Sequence, residues 1–173
     1  MDAQSGRAPM KNSGALKVTT PSEREIAMTR VFDAPRRLVF EAWTKPELVQ
    51  RWLYGPDDWR LAVCEMDLRV GGALRFVWRH SAEQSMGMSG VFREIAPPDR
   101  LVFSELWDED WTGGEALNTI ILTEHAGKTT LTQTVRYSSR AARDGALKTG
   151  MEDGVAVSYD RLAELLTPWK SQS

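Results

Sequence analysis

The chain has 173 residues, of which 42% are hydrophobic and 27% charged, and its formal net charge is −2 at pH 7. This length favours one domain with a substantial apolar core, and the charge provides no positive field for nucleic acid. The apolar runs are far shorter than the ~18 residues of a membrane span, and the single Cys64 excludes an internal disulfide and a cysteine-cluster zinc site. Because no signal peptide is visible, we expect a cytoplasmic location. We also expect a monomer or homodimer, without a metal or other cofactor.

The N-terminal third begins with a segment of Ser, Gly, Ala, Lys and Pro, residues 1–22, which predicts a flexible tail. Residues 24–32 alternate between apolar and polar side chains, which indicates a first strand. Two short helices are expected next, one after Pro35 and one after Pro46, because proline suits the first turn of a helix.

Almost 80 residues then follow the two-residue period of strands, interrupted by turns rich in Gly, Pro and Asp. Short turns between consecutive strands predict an antiparallel meander. The six predicted strands are residues 60–69, 73–80, 87–95, 101–107, 116–124 and 129–137.

The last element is a long amphipathic helix, predicted over residues 150–166 with its apolar stripe at three- and four-residue steps. Thr149 and Glu152 have the spacing of a capping box, and Pro168 is expected to end the helix. The order is therefore β-α-α-β-β-β-β-β-β-α, with a single domain over residues 23–168 and a C-terminal tail over 169–173. One helix cannot cover both faces of such a sheet, so the fold class is α+β with a curved antiparallel sheet wrapped around this helix.

A curved sheet that grips one helix leaves space between them, which predicts a cavity. Alternation along the strands and the helix stripe identify its lining, and Gly154 and Ser158 are too small to fill the space held open by the sheet's aromatic rings. For the strand that contains Met88, either side could face inward. The nine predicted ligand-binding residues are Phe76, Trp78, Met88, Phe103, Glu105, Trp107, Gln133, Val155 and Ser158.

A series of short motifs in this order resembles the START-like, helix-grip superfamily (SRPBCC), in the branch named for the activator of the heat-shock-protein-90 ATPase. The resemblance covers about residues 24–166 and implies a hydrophobic cavity, often with an unknown ligand; it does not imply chaperone activation. The motifs are Phe32-Asp33-Ala34-Pro35, residues 39–43, Arg51-Trp52, residues 67–72, 90–95 and 98–102, Gly150-Met151-Glu152-Asp153-Gly154, and Asp160-Arg161-Leu162.

Only two side chains are candidates for chemistry, and each has a structural alternative. His80 is either a strand-end histidine in water or a polar group at the cavity mouth. Glu105 is either a paired or edge carboxylate, or, if it lies inside, a group that binds a cationic or hydroxylated ligand or acts as a general acid or base. No phosphate loop, dinucleotide motif or nucleophile elbow is present.

Three functions follow from these observations. The first is a ligand-binding START-like domain for a small hydrophobic molecule. The second is an enzyme of the polyketide cyclase or dehydratase kind, and the third is a co-chaperone-like regulatory module. A dry apolar cavity would favour binding, two or more convergent polar side chains would favour the enzyme, and a large exposed apolar patch would favour a protein partner.

Overall fold

The computed structural model describes residues 15–109 and 113–172 of the chain. The strands are β1 (Lys17–Thr19), β2 (Glu25–Phe32), β3 (Trp59–Met66), β4 (Ala73–His80), β5 (Ser85–Ala96), β6 (Arg100–Trp107), β7 (Ala116–His125) and β8 (Lys128–Arg136). The helices are α1 (Arg36–Thr44), α2 (Pro46–Val49), α3 (Arg140–Leu147) and α4 (Met151–Gln172).

All eight strands belong to one antiparallel sheet in the order β1-β2-β8-β7-β6-β5-β4-β3. The meander from β3 to β8 places β8 beside β2, so the first and last long strands of the chain are neighbours. The chain must therefore cross from β2 to the far edge at β3, and α1 and α2 make this crossing. The predicted curved antiparallel sheet around a C-terminal helix is confirmed.

Helix α4 packs its apolar stripe against the concave face of the sheet. Leu162, predicted to be buried there, is fully buried, and so is Tyr159 beside it. Tyr159 contacts the rings of Phe32, Trp43 and Trp52 edge-on or tilted, at centroid distances of 5.8, 6.5 and 6.0 Å. These contacts join α4 to β2, α1 and the segment after α2, so the helix position relative to the sheet is fixed by interlocking rings.

Several details differ from the sequence predictions, and one is the additional helix α3 between β8 and α4, which the predicted order lacks. Lys17–Thr19, assigned to the tail, forms β1 and pairs with Ala27–Thr29 of β2, whereas residues 1–14 of that tail lie outside the described residues. Helix α4 does not end before Pro168 but continues to Gln172, through the predicted C-terminal tail, because one missing N–H removes only one helical bond.

The predicted capping box at the start of α4 is also wrong. The hydroxyl of Thr149 donates backward to the carbonyl of Ala146 at the end of α3, so it does not cap α4. Gly150 has a φ of +81°, a left-handed conformation that glycine adopts without strain. This residue lies in the break between α3 and α4.

Candidate functional site

A cavity of about 470 Å³ lies between the sheet and α4. Strands β4, β5 and β6 contribute one wall, β8 contributes another, and α4 covers them with Met151, Gly154, Val155, Ser158 and Tyr159. All nine residues predicted from alternation and helix phase border this space: Phe76, Trp78, Met88, Phe103, Glu105, Trp107, Gln133, Val155 and Ser158.

The wall on β4 and β6 is aromatic because every second residue of these strands points inward. The ring of Trp78 lies 5.8 Å from that of Phe76 along β4 and 5.4 Å from that of Trp107. Met88 of β5 pairs with both Phe76 and Trp107 in the sheet and is buried, which settles the side of the strand that it faces. A flat apolar ligand would therefore meet rings and a thioether on this side.

The cavity has further lining residues beyond the nine predicted ligand-binding residues. Some could have been found by extending the same alternation to β2 and β8, but those after α2 depend on a loop path that carries no periodic signal. Besides the nine, the lining includes Met28, Trp43, Leu53, Tyr54, Gly55, Pro56, Trp59, Met86, Asn118, Val135, Tyr137, Ala146, Thr149, Gly150, Met151, Gly154 and Tyr159.

A chain of hydrogen bonds runs along the cavity from α4 to β6. The hydroxyl of Tyr159 donates to Oε1 of Gln133 (2.5 Å), and Nε2 of Gln133 donates to Oδ1 of Asn118 (2.8 Å). Nδ2 of Asn118 then donates to Oε1 of Glu105 (2.7 Å), and Nε1 of Trp107 donates to the other carboxylate oxygen (2.9 Å). Every bond points toward Glu105, so we call this set the Glu105 relay.

Glu105 is the acceptor at which the relay ends, and its environment is poor in compensating charge. Burial among apolar side chains raises the pKa of its carboxyl above the ordinary glutamate value, and the hydrogen bonds from Asn118 and Trp107 oppose that shift. Glu105 forms no ion pair within the part of the chain that the structure describes. Burial, followed by the nearby Glu105 charge, also raises the pKa of the Tyr137 hydroxyl. The site thus contains one carboxyl group that holds its proton more tightly than an ordinary glutamate.

The loop after α2 closes one end of the cavity and is fixed to both the sheet and α4. Nε1 of Trp78 donates to the backbone carbonyl of Leu53 (2.8 Å), and the hydroxyl of Ser158 donates to the backbone carbonyl of Tyr54 (2.6 Å). The guanidinium of Arg161 donates to the Tyr54 carbonyl (2.7 Å) and lies 3.8 Å from the centre of the Tyr54 ring. Ser158 therefore has a second role, because its hydroxyl anchors this loop.

His80 does not border the cavity. Its Nδ1 accepts the backbone N–H of Ala82 (2.9 Å), which leaves Nε2 to donate to the carboxylate of Asp58 at 2.5 Å. The ring rests 5.0 Å from that of Trp59, a cavity residue, so His80 supports the rim from outside. Of the two candidates for chemistry, only Glu105 is placed where a ligand would bind.

In residues 15–109 and 113–172, no three His, Cys, Asp or Glu side chains come together in a way that could hold a metal ion. Burial, with a smaller effect from Glu47, raises the pKa of the Cys64 thiol to about 12, so this cysteine is a poor nucleophile at neutral pH. None of the described helices is both long and apolar enough to cross a membrane.

Several solved structures share this architecture. A crystal structure of a protein from Rhodobacter sphaeroides is 30% identical, with a TM-score of 0.84 over 89% of this chain and 99% of that chain. A protein from Nitrosomonas europaea is 24% identical, with a TM-score of 0.77 over 87% and 98% of the two chains. An AHSA1-like protein from Aeromonas hydrophila is 18% identical, with a TM-score of 0.66 over 82% and 94%. The last two show a shared fold only, and no curated protein matches the chain.

The sequence profile of one protein family matches residues 33–167, which include α1, α2, β3 to β8 and most of α4. That family is described as activator of Hsp90 ATPase homolog 1-like protein. Its START-like fold supports a ligand-binding or regulatory domain in general terms. The chain therefore belongs to the AHSA1-like branch of the START-like (SRPBCC) superfamily.

Proposed function

We propose that this domain binds a small, predominantly apolar molecule in the cavity between the sheet and α4. The observation that carries the proposal is the cavity itself, whose volume of about 470 Å³ lies within the range of roughly 300–1,000 Å³ typical of small-molecule sites. Its lining is dominated by aromatic and methionine side chains, with a few polar groups gathered at the Glu105 relay. That combination suits a ligand with an apolar body and one polar group.

The size of the cavity follows from the sequence of α4. Gly154 and Ser158 face the aromatic wall with almost no side chain, and a Cβ added at Gly154 would meet no other atom within 4 Å. A core packed for stability alone would fill such a space, because empty apolar volume costs about 24 cal/mol per Å³. The small residues thus keep this volume open, and a molecule bound there would fill it and stabilise the folded protein.

The test is a fluorescence titration with N-phenyl-1-naphthylamine, a neutral apolar dye that brightens in apolar surroundings. The dye should bind the wild type and quench tryptophan emission, since Trp78 and Trp107 lie in the wall. Ser158→Trp should place an indole in the cavity and abolish binding while the protein stays folded. Ser158→Ala controls for the lost bond to Tyr54, and Glu164→Trp places the same ring on the exposed face of α4.

The outcomes separate cleanly. Binding that survives in Ser158→Ala and Glu164→Trp but not in Ser158→Trp supports the cavity as the site. Dye binding to Ser158→Trp with unchanged affinity, or no binding to the wild type, would refute the proposal. Circular dichroism of each variant verifies the fold.

A second candidate function, an acid–base enzyme of the cyclase or dehydratase kind, is favoured by one observation. The relay brings several polar side chains within hydrogen-bond distance of each other, and its terminal carboxyl has a raised pKa. A general base with such a pKa could remove a proton next to a ligand carbonyl. Deuterium exchange at the α-carbon of 1-(1-naphthyl)propan-2-one, followed by NMR, tests this candidate.

Exchange accelerated by the wild type but not by Glu105→Gln would support the enzyme, and the same slow exchange with both would exclude this base.

The regulatory module has less support. The exposed large apolar side chains of the described residues are distributed over a turn, two neighbouring strands and a helix: Leu68 and Val70 after β3, Leu106 on β6, Leu117 and Ile121 on β7, and Leu147 on α3.

A further inference from the structure

We infer that the ligand of this cavity carries a protonated amine, which forms an ion pair with Glu105 while its apolar body lies against the aromatic wall. This inference rests on the proposed function and narrows it to one chemical class, amphipathic amines. It combines three independent features of the site, which are the unpaired carboxylate, the direction of the hydrogen bonds that hold it, and the rings beside it.

The first feature is a carboxyl group without a cationic partner among the described residues. Glu105 lies on the inner face of β6, and the described residues give it two hydrogen bonds but no ion pair. Arg30 of β2, a buried charge on an inner strand face, behaves differently, since it pairs with Asp160 of α4 at 2.6 Å. A carboxylate in an apolar site is costly unless it is paired. A cation supplied by the ligand would provide the missing partner.

The second feature is the polarity of the relay. Nε1 of Trp107 can only donate, so the oxygen of Glu105 that it contacts must accept. Tyr159, Gln133 and Asn118 continue the same direction, each donating one step closer to Glu105. The relay therefore holds the carboxyl in place as an acceptor while each oxygen keeps a lone pair for a further donor. A ligand ammonium group donates to such a site, whereas a ligand carboxylate would be repelled.

The third feature is the ring cluster next to the carboxylate. Trp107 bonds Glu105 through its indole N–H, its ring is 5.4 Å from Trp78, and Trp78 is 5.8 Å from Phe76. These rings form an apolar surface that begins directly beside the carboxylate. With an ammonium group at Glu105, the remaining apolar body of the molecule would extend over these rings, Phe103 and Met88.

The experiment is a competition assay with matched ligands. N-phenyl-1-naphthylamine, uncharged at pH 7, reports occupancy of the cavity, and it is displaced by either 1-naphthylmethylamine or 1-naphthalenemethanol. The two competitors share a ring system and differ in an ammonium versus a hydroxyl group. For the wild type we expect the amine to bind about tenfold more tightly or better, the factor expected of one charge-assisted hydrogen bond.

Two variants locate the preference. Glu105→Gln keeps the size of the side chain and an acceptor oxygen but removes the charge, and it should bring the two affinities within about twofold of each other. Glu94→Gln removes a surface carboxylate that pairs with Arg100 outside the cavity, and it should keep the full preference. The wild-type comparison stands by itself if Glu105→Gln does not fold.

Each result has one meaning. If the dye binds the wild type and the alcohol binds as tightly as the amine or more tightly, the amine inference is overturned and the proposed function stands. An amine preference that persists in folded Glu105→Gln overturns the assignment to this carboxylate. Failure of the dye and of both naphthalene compounds to bind overturns the proposed function, and the amine inference with it.

Discussion

Replacement of Tyr159 by phenylalanine tests whether the Glu105 relay stabilises the fold. The phenol is fully buried, and its hydroxyl donates to Oε1 of Gln133. Phenylalanine keeps the ring and its edge contacts with Phe32 and Trp43, so only the hydrogen bond is lost. A buried hydrogen bond contributes about 0.5–1.5 kcal/mol, and leaving its acceptor unpaired raises the loss. We therefore expect a destabilisation of about 1–2 kcal/mol.

The matched control is Tyr137→Phe, because the hydrogen-bond partner of the Tyr137 hydroxyl among the described residues is the sulfur of Met151 at 3.6 Å, a weak contact that should contribute little. Urea unfolding followed by far-ultraviolet circular dichroism measures both changes, and for a chain of this size the loss at Tyr159 corresponds to a melting temperature lower by roughly 2–8 °C. A Tyr159→Phe loss no greater than that of Tyr137→Phe would show that the relay does not hold Tyr159 in place.

Three further changes test other parts of the structure. Leu162→Ala should destabilise the protein by about 2–5 kcal/mol in urea unfolding, since the side chain is fully buried; a loss below about 0.5 kcal/mol, as expected for exposed Glu164→Ala, would mean that the wrong face of α4 is buried. Gly154→Ala should raise the free energy of unfolding by about 0.5–1 kcal/mol, because the added methyl group meets no atom within 4 Å and alanine favours helix; a decrease would contradict the open space. Burial raises the pKa of Glu105 in the folded state, so its contribution to stability is complete below the unfolded pKa and is lost as pH rises through the folded pKa. The stability of the wild type minus that of Glu105→Gln should therefore fall as the pH rises above about 4, the ordinary pKa of glutamate, and a difference that rises would contradict the direction of the shift.

The strands and the cavity wall could be predicted because one physical rule governs both. A strand with one face in the core alternates with a period of two, so the inward side of β4 and β6 was readable from Phe76, Trp78, Phe103 and Trp107. The same rule placed Glu105 inward despite its charge, which is the most informative exception on the sheet.

Other parts follow from contacts between distant segments and leave no local pattern. Strand β1 has three residues and exists through its pairing with β2, so its sequence alone reads as a tail. The loop at Tyr54 reaches the cavity because Ser158 and Arg161 of α4 bond its carbonyl groups. Helix α4 passes Pro168, although a proline inside a helix removes a hydrogen bond.

The relay shows the same limit at the level of the site. Glu105 and Gln133 were identified separately, each from the alternation of its own strand. Asn118 joins them only because the register places β7 between β6 and β8, and Tyr159 only because of the rotation of α4. Strand register and helix rotation depend on contacts between distant segments of the chain. The separate polar residues were therefore predictable, but the hydrogen bonds that connect them were not.

The most direct test of ligand binding in the cavity uses the methionine methyl groups as probes. Met28, Met86, Met88 and Met151 border the cavity, whereas Met66 of β3 does not. Protein labelled with carbon-13 at the methionine methyl groups is titrated with N-phenyl-1-naphthylamine, whose rings shift nearby NMR signals. We predict saturable shifts at the four cavity methionines and an unchanged signal for Met66; a shift at Met66 with unchanged cavity signals would contradict binding between the sheet and α4.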